Sequence, residues 1–203
     1  MLLYYNKGGC SLSPHIVLHE TGLPHAVMHV DLHSGRTADG TNYWAINPKR
    51  SVPALRLDDG AVLTEGAAIV QYIADQAPAS GLAPPAGTMD RYRAQEWLNY
   101  VGTELHRGFT PLFSDRISPE WKAMTLAALG RKFDFVSERL AGQTHLLGDR
   151  FTVADAYLFV ILRWRDYVAV DLSPWPVLTA YMERIAARPA VRAAMAVEGL
   201  VKR

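Results

Sequence analysis

Residues 78–87, Pro-Ala-Ser-Gly-Leu-Ala-Pro-Pro-Ala-Gly, divide the chain into two parts of different character. Proline and glycine interrupt regular secondary structure, so their density here indicates a linker between separately packed regions. A chain of 203 residues is long enough for one or two domains. We therefore predict two domains, residues 1–80 and residues 88–203.

The first part alternates short apolar runs with helical patterns. Strands are predicted at Leu2–Tyr5, Val27–Asp31, Ala54–Leu57 and Val62–Thr64. Helices are predicted from an N-cap at Ser13 to Gly22, at Thr41–Ile46 and at Glu65–Gln76. A strand–helix–strand unit followed by a hairpin and a helix predicts an α/β domain of thioredoxin-like order.

The second part contains no strand pattern. Helices are predicted at Asp90–Phe109, Pro119–Leu140, Val153–Val168, Pro176–Ala187 and Pro189–Val197, with a capping box at Thr152–Asp155. The expected core comprises apolar positions at helical spacing: Trp97, Leu98, Val101, Leu105, Phe133, Val136, Leu158 and Ile161. This part is therefore predicted to be all-α.

Composition and motifs exclude several classes of partner. A net charge of +1 argues against nucleic acid or an anionic membrane surface, and no apolar run approaches the ~18 residues of a membrane span. The N-terminus does not resemble a signal peptide, and the single cysteine excludes an internal disulfide. No dinucleotide or phosphate-loop motif is present. We expect a cytoplasmic protein without nucleotide, nucleic-acid or membrane partners.

The single cysteine, Cys10, lies in the predicted turn between the first strand and the first helix. A helix N-terminus favours the thiolate, which is the nucleophilic form, and this position predicts a pKa below the ordinary value. The alternative is an inert buried thiol, which is common for free cysteine.

Two further positions could bind parts of a small peptide. A cis Val52–Pro53 bond before a strand would present the Val52 backbone N–H and C=O to an extended peptide, although proline here could equally be trans. Glu65-Gly66 opens a helix, where free N–H groups hold a carboxylate and the glutamate could hold an ammonium. Glu65 could instead only complement the helix dipole.

Polar residues follow one stripe of the first helix in the second domain: Gln95, Asn99, Thr103 and His106. Such a stripe is ordinarily a solvated face, but it becomes functional where it borders a cleft between domains. A neutral His106 there could donate to a thiolate or accept its proton.

Histidines are concentrated near the N-terminus, where His15 and His19 are one helical turn apart. That spacing can hold a metal ion, but the helix offers no third ligand in register. We therefore expect no metal site.

Seven segments, taken together in their order and spacing, resemble the glutathione S-transferases, most closely the bacterial beta class. The match spans essentially the whole chain and includes Leu3–Tyr5, Gly9–Ile16, Asn47–Leu55, Leu63–Ile69, Trp97–Tyr100, Thr103–His106 and Leu147–Asp155. The resemblance implies a homodimer in which a thioredoxin-like domain binds glutathione and a helical domain shapes the second substrate site.

The resemblance also implies roles for individual residues. Cys10 and His106 are the implied catalytic pair at the glutathione sulfur. The implied glutathione-binding residues are Cys10, Val52, Pro53, Glu65, Gly66, Asn99 and His106, with Thr103 and Glu104 approaching the glutathione of the other subunit. The implied electrophile site comprises Tyr5, Phe109, Phe113 and Trp164.

Two positions depart from the beta-class pattern. Position 35, often a lysine that meets a glutathione carboxylate, is glycine, and the neighbouring Arg36 is the candidate substitute. Position 66, serine in some relatives, is glycine, which keeps the backbone donor and loses the hydroxyl.

These observations predict a transferase that conjugates reduced glutathione to small hydrophobic electrophiles, including by halide displacement, in detoxification or xenobiotic catabolism. One alternative is a glutathione-dependent thiol–disulfide oxidoreductase or peroxidase that works through a mixed disulfide at Cys10. The other is a non-catalytic ligand carrier on the same fold. Glutathione is the expected co-substrate in each catalytic case, with no metal.

Overall fold

The computed structural model describes residues 1–201, which form two compact units. The first unit contains residues 1–83 and the described residues from Ala187 onward, and the second contains Pro84–Ala186. The first unit carries all the strands of the described chain, and the second unit is helical.

A five-stranded mixed sheet with the order β3-β2-β1-β4-β5 forms the centre of the first unit. Its strands are β1 Leu2–Tyr5, β2 Ala26–Asp31, β3 Arg36–Thr37, β4 Ala54–Arg56 and β5 Val62–Thr64. Strands β1 and β2 are parallel, and the other pairs are antiparallel. Four strands were predicted to within one residue at each end. The two-residue β3 was not, because it is too short to show alternation.

Three helices accompany this sheet: α1 Leu12–Thr21, α2 Tyr43–Ile46 and α3 Gly66–Gln76. The predicted N-cap at Ser13 is wrong, because α1 already begins at Leu12 and Ser13 is a buried residue within the helix. The residue before the helix, Ser11, instead directs its hydroxyl to the Asn6 carbonyl and accepts a hydrogen bond from the Asn6 N–H at 3.1 Å. These bonds hold the loop that carries Cys10.

The second unit contains helices α4 Met89–Tyr100, α5 Arg107–Phe109, α6 Pro119–Leu140, α7 Val153–Arg163, α8 Arg165–Val168 and α9 Pro176–Ala186. A π-helical segment, Val101–His106, joins α4 to α5. The widened turn was not predicted, because apolar spacing over six residues does not separate it from an α-helix. It changes the angular position of His106 relative to the stripe that begins at Gln95. The predicted capping box of α7, Thr152 with Asp155, is confirmed.

Helix α10, Pro189–Val197, belongs to the first unit. The prediction of one helical domain over residues 88–203 is therefore wrong for this last segment. Helix α10 packs on α1 and buries Val191 and Ala194, and Arg188 makes a bidentate ion pair with Glu20 at 2.7 and 2.9 Å. Sequence periodicity found the helix but carried no information about which unit its apolar face would cover.

The predicted core of the second unit is buried except at Trp97, which is half-buried and packs edge-on against Tyr100. Within the described residues, no helix is long and apolar enough to cross a membrane.

Candidate active site

Cys10 lies in the loop between β1 and α1, where its Sγ–H donates to the Val52 carbonyl oxygen at 3.2 Å. The Val52–Pro53 peptide bond is cis, which is the one of the two isomers left open by the sequence that would present the Val52 backbone to a peptide. The Val52 backbone therefore lies directly beside the cysteine thiol.

The prediction of a lowered Cys10 pKa is wrong for the free protein. Burial raises the pKa of Cys10 to about 12, although the backbone N–H groups of Cys10 and Ser11 lower it and the residue keeps some exposed surface. The carboxylate of Glu65 raises it further. The helix N-terminus favours the anion as predicted, but desolvation is the larger effect, and the thiol is a protonated donor at neutral pH.

Glu65 has a positive φ of 72° immediately before α3, a conformation that non-glycine residues rarely adopt. Its carboxylate pairs with the Lys49 ammonium at 2.5 Å, with the two side chains 68% and 54% exposed. Lys49 also donates to the Thr64 hydroxyl at 2.9 Å. Strained backbone of this kind is concentrated at functional sites, and here it carries an accessible carboxylate.

Gly66 begins α3 beside Pro53: a Cβ at this position would lie 3.7 Å from the proline Cγ. The first turn of a helix leaves its N–H groups without intrahelical acceptors. Pro53 therefore lies between the Cys10–Val52 contact and the start of α3. The structure brings five of the predicted residues to one region of the first unit: Cys10, Val52, Pro53, Glu65 and Gly66.

The departure at position 35 has a steric cause. Gly35 has a φ of +70°, and a Cβ there would lie only 2.0 Å from the indole Nε1 of Trp44. A lysine at this position would have to displace the indole. Arg36 lies on β3 and donates to the Gly40 carbonyl at 2.9 Å, with an exposed side chain. No contact joins Arg36 to the region around Cys10 within the described residues.

Tyr5, predicted for the electrophile site, packs its ring in the first unit against the rings of His15 and His29, with centroids 5.9 and 5.5 Å apart. Burial and then the Glu198 carboxylate raise the pKa of Tyr5.

In the second unit, His106 is held by Tyr157 and Trp164. Its Nδ1 is hydrogen-bonded to the Tyr157 hydroxyl at 2.7 Å, and its ring stands edge-on to the Trp164 indole at a centroid distance of 4.6 Å. Burial, followed by the Arg107 charge, lowers the pKa of His106 to about 4. The imidazole is therefore neutral at neutral pH, which is the state that the proposed donor or acceptor role requires.

Three of the four aromatic residues predicted for the electrophile site form one group in which Phe109 and Phe113 both pack against Trp164. Phe113 lies 5.3 Å and Phe109 6.3 Å from its indole, centroid to centroid, both nearly perpendicular. Phe113 is exposed, whereas Phe109 and Trp164 are buried. The group places apolar surface next to His106.

The remaining predicted residues lie at the junction of α4 and the π-helical segment. Asn99 and Thr103 are exposed, and the Thr103 hydroxyl donates to the Asn99 carbonyl at 3.0 Å. Glu104 pairs with Lys132 at 3.0 Å, and that hydrogen bond and charge lower the pKa of Glu104.

Three neighbours of the site were not found by sequence analysis: Lys49, Tyr157 and Trp44. Each contacts its partner across an interval of sequence that local patterns do not bridge. Only Lys49 lies in one of the seven segments that resemble the family, and its positive charge was the one sequence feature that could have indicated a role.

The sheet order, the helical second unit and a cysteine beside a cis proline define a thioredoxin-like domain joined to an all-helical one. Models of the "Glutathione S-transferase, N-terminal domain" and "Glutathione S-transferase, C-terminal domain" match residues 9–76 and 102–189. The chain is 47% identical to "Glutathione S-transferase GstA" of Escherichia coli O157:H7, covering 98% of this chain and 100% of that protein.

Solved structures of similar proteins indicate the same family. A sphingomonad glutathione S-transferase complexed with glutathione is 46% identical with a TM-score of 0.95, and a bacterial beta-class enzyme of Sphingomonas chungbukensis is 44% identical with a TM-score of 0.95. Each match covers 99% of this chain and 100% of the other. The chain belongs to the glutathione S-transferase family and is a transferase enzyme, so the predicted resemblance, fold class and activity are confirmed.

Proposed function

We propose that this enzyme conjugates glutathione to small hydrophobic electrophiles, with Cys10 as a neutral hydrogen-bond donor to the glutathione sulfur. The contact between the Cys10 thiol and the Val52 carbonyl carries the proposal, because it puts a protonated donor beside a backbone edge that suits an extended peptide. Glutathione, seen bound in the sphingomonad relative, is the co-substrate, and the enzyme works as a cytoplasmic homodimer.

In the proposed pose, the Val52 N–H and C=O pair with the cysteinyl backbone of glutathione. The Gly66 N–H and the Glu65 carboxylate hold the carboxylate and ammonium of the γ-glutamyl end. When the Val52 carbonyl is taken by glutathione, the Cys10 S–H donates to the glutathione sulfur, which favours its thiolate. Arg36 supplies positive charge for the glycyl end in this pose, and Asn99 is proposed as a further glutathione-binding residue.

The reaction follows from these contacts. The glutathione thiolate attacks an electrophilic carbon, a carbon–sulfur bond forms, and halide or another leaving group departs with its electron pair. His106 donates a hydrogen bond to the sulfur, and the electrophile packs against Tyr5, Phe113 and Trp164. Phe109 is fully buried, so it supports Trp164 from behind rather than contacting the electrophile as predicted. Thr103 and Glu104 reach the glutathione of the partner subunit in this proposal.

The protonated Cys10 also decides between conjugation and mixed-disulfide chemistry. Thiol–disulfide exchange needs a thiolate nucleophile, and burial disfavours that form here. The attacking group in conjugation is the glutathione sulfur, so this route tolerates a neutral Cys10.

Replacing Glu65 with alanine is expected to weaken glutathione binding by about 1–3 kcal/mol, or about 5- to 150-fold, because the γ-glutamyl ammonium loses its partner. Isothermal titration calorimetry with reduced glutathione measures this change. Alanine keeps the same Cβ at the positive φ, so the unfolding midpoint should shift little.

The matched control for this variant is Glu96→Ala, which removes an exposed glutamate of α4. Its dissociation constant for glutathione should equal that of the unmodified enzyme. An unchanged constant for Glu65→Ala would show that Glu65 serves only the start of α3.

Replacing His106 with alanine is expected to lower kcat by about 10- to 100-fold with a smaller change in the KM for glutathione, since its hydrogen bond strengthens as thiolate character develops. His106→Asn, which retains an N–H donor, should recover part of kcat. Steady-state kinetics with a generic aryl halide measures both constants.

The pH profile provides an independent readout of the same residue. Because the pKa of His106 is lowered to about 4, the imidazole becomes charged only as the pH falls through that value. Between pH 5 and 8, His106 should therefore contribute no inflection to kcat/KM near the ordinary histidine pKa of about 6.5. An inflection there that His106→Asn removes would contradict the assignment of a neutral His106.

A further inference from the structure

Three histidines of the first unit converge at one point: His15 and His19 on α1, and His25 immediately before β2. Each offers one ring nitrogen, and these three atoms all lie within 4.8 Å of one another. Ring centroids are 5.1 Å apart for His15–His19 and His19–His25, and 6.2 Å apart for His15–His25. Sequence analysis found the pair on α1 but not the third ring, because His25 reaches it through the turn after the helix.

His15 is oriented by a carboxylate. Its side chain is fully buried, and its Nδ1 lies 2.9 Å from Oε1 of the buried Glu198. A carboxylate oxygen accepts, so this contact fits the tautomer of His15 that carries its proton on Nδ1 and its lone pair on Nε2. That buried Nε2 makes no hydrogen bond within the described residues. A carboxylate that orients a histidine through its other nitrogen is the usual surrounding of a metal-bound imidazole.

The rings of His19 and His25 also each have an Nε2 that could bind an ion. The Nδ1–H of His25 donates to the Leu23 carbonyl at 2.8 Å, which leaves the lone pair on Nε2. The Nε2 of His19 is buried and has no hydrogen-bond partner in the part of the chain that the structure describes.

We propose that His15, His19 and His25 form a binding site for a divalent transition-metal ion of the zinc class. A tetrahedral ion ~2.0–2.1 Å from each nitrogen places ring centroids about 5 Å apart, so two of the three pairs already have this spacing. Three imidazoles without oxygen ligands suit zinc, copper or nickel rather than calcium or magnesium. Water fills the fourth position, since His19 and His25 are only half-buried.

The proposed ion connects α1 to the chain entering β2, and through His15 it connects both to Glu198. Glu198 also accepts from the Gly8 N–H at 2.9 Å, in the loop that precedes Cys10. The site is therefore independent of the proposed glutathione chemistry but is joined to the segment that carries its thiol. An ion that binds only the folded chain raises the unfolding midpoint in proportion to its occupancy.

The test titrates the Cys10→Ala enzyme with Co²⁺ and Zn²⁺ in glutathione-free buffer, because Cys10 is the single thiol of the chain and would compete for these ions. We expect one Co²⁺ per chain, visible absorption typical of tetrahedral cobalt, and displacement by Zn²⁺. His19→Gln and His25→Gln should each weaken Zn²⁺ binding by about 100-fold or more. Glu198→Gln, which keeps all three ligands, should weaken it by about 10- to 100-fold.

The matched control is His33→Gln, an exposed histidine outside the cluster, which should bind Zn²⁺ as the unmodified protein does. Histidine side-chain ¹H–¹⁵N spectra of the unmodified chain keep the test independent of variant folding, because Zn²⁺ should shift the resonances of His15, His19 and His25 together. No 1:1 binding at 100 µM Zn²⁺, or binding that His19→Gln and His25→Gln leave unchanged, would overturn the proposal.

Discussion

In the free protein, Cys10 is expected to react with iodoacetamide at pH 7.5 about 100- to 1000-fold more slowly than the same thiol in the unfolded chain. Raising the pKa from 9.0 to about 12 lowers the thiolate fraction by roughly three powers of ten, and the thiolate is the reacting form. The rate should rise about tenfold per pH unit from pH 7.5 to 10 without a plateau. Mass spectrometry of alkylated protein over time measures it.

The experiment is unambiguous because Cys10 is the single cysteine of the chain. Unfolding in guanidinium should restore ordinary reactivity, and Glu65→Gln should accelerate alkylation slightly, since the Glu65 carboxylate is one cause of the raised pKa. A plateau near pH 7 would indicate a stable thiolate. That outcome would contradict the neutral donor and favour the oxidoreductase, which needs a nucleophilic Cys10.

The contrast between the predicted and observed state of Cys10 shows what local sequence can establish. The position of the thiol at a helix N-terminus follows from neighbouring glycine, serine and proline residues, and it was correctly predicted. Its desolvation depends on chain segments such as the one at Val52, which lies 42 residues away. The local sequence predicts the helix N-terminus that lowers the pKa of Cys10, but only the packed structure shows the burial whose opposite effect on that pKa is larger.

The same distinction explains the other differences. Strand and helix positions were predictable because periodicity is a property of consecutive residues. The steric limit that Trp44 sets at Gly35, the Tyr157 partner of His106 and the position of His25 beside α1 all depend on contacts between separated segments. Helix α10 was placed in the wrong unit for the same reason.

Asp155 of the second unit accepts hydrogen bonds from four buried donors, so its loss should strongly lower the stability of the fold. Its Oδ1 accepts from the Leu146 N–H at 2.9 Å and the Tyr181 hydroxyl at 3.1 Å. Its Oδ2 accepts from the N–H and the hydroxyl of Thr152, both at 2.9 Å. The carboxylate thus caps α7 and joins it to the chain before it and to α9.

Asp155→Ala is expected to lower the free energy of unfolding by about 3–4 kcal/mol, because it leaves two backbone N–H groups and the Thr152 hydroxyl buried without their acceptor. The Tyr181 hydroxyl keeps only the Asp155 backbone carbonyl, at 3.3 Å. For a chain of this length the unfolding midpoint should fall by about 6–15 °C. Asp155→Asn keeps one acceptor oxygen and should cost less, about 1–3 kcal/mol. Calorimetry and guanidinium unfolding provide the two measurements.

Asp171→Ala is the matched control, because Asp171 is also held by hydrogen bonds, from the Ser173 N–H at 2.8 Å and the Ser173 hydroxyl at 2.6 Å, but is exposed. Water replaces the lost acceptor there, so the change should stay below about 1 kcal/mol. Equal effects of the two variants would mean that the buried donors around Asp155 find other acceptors. A larger effect of Asp155→Ala than of Asp155→Asn, with Asp171→Ala near zero, attributes the stability to those four hydrogen bonds.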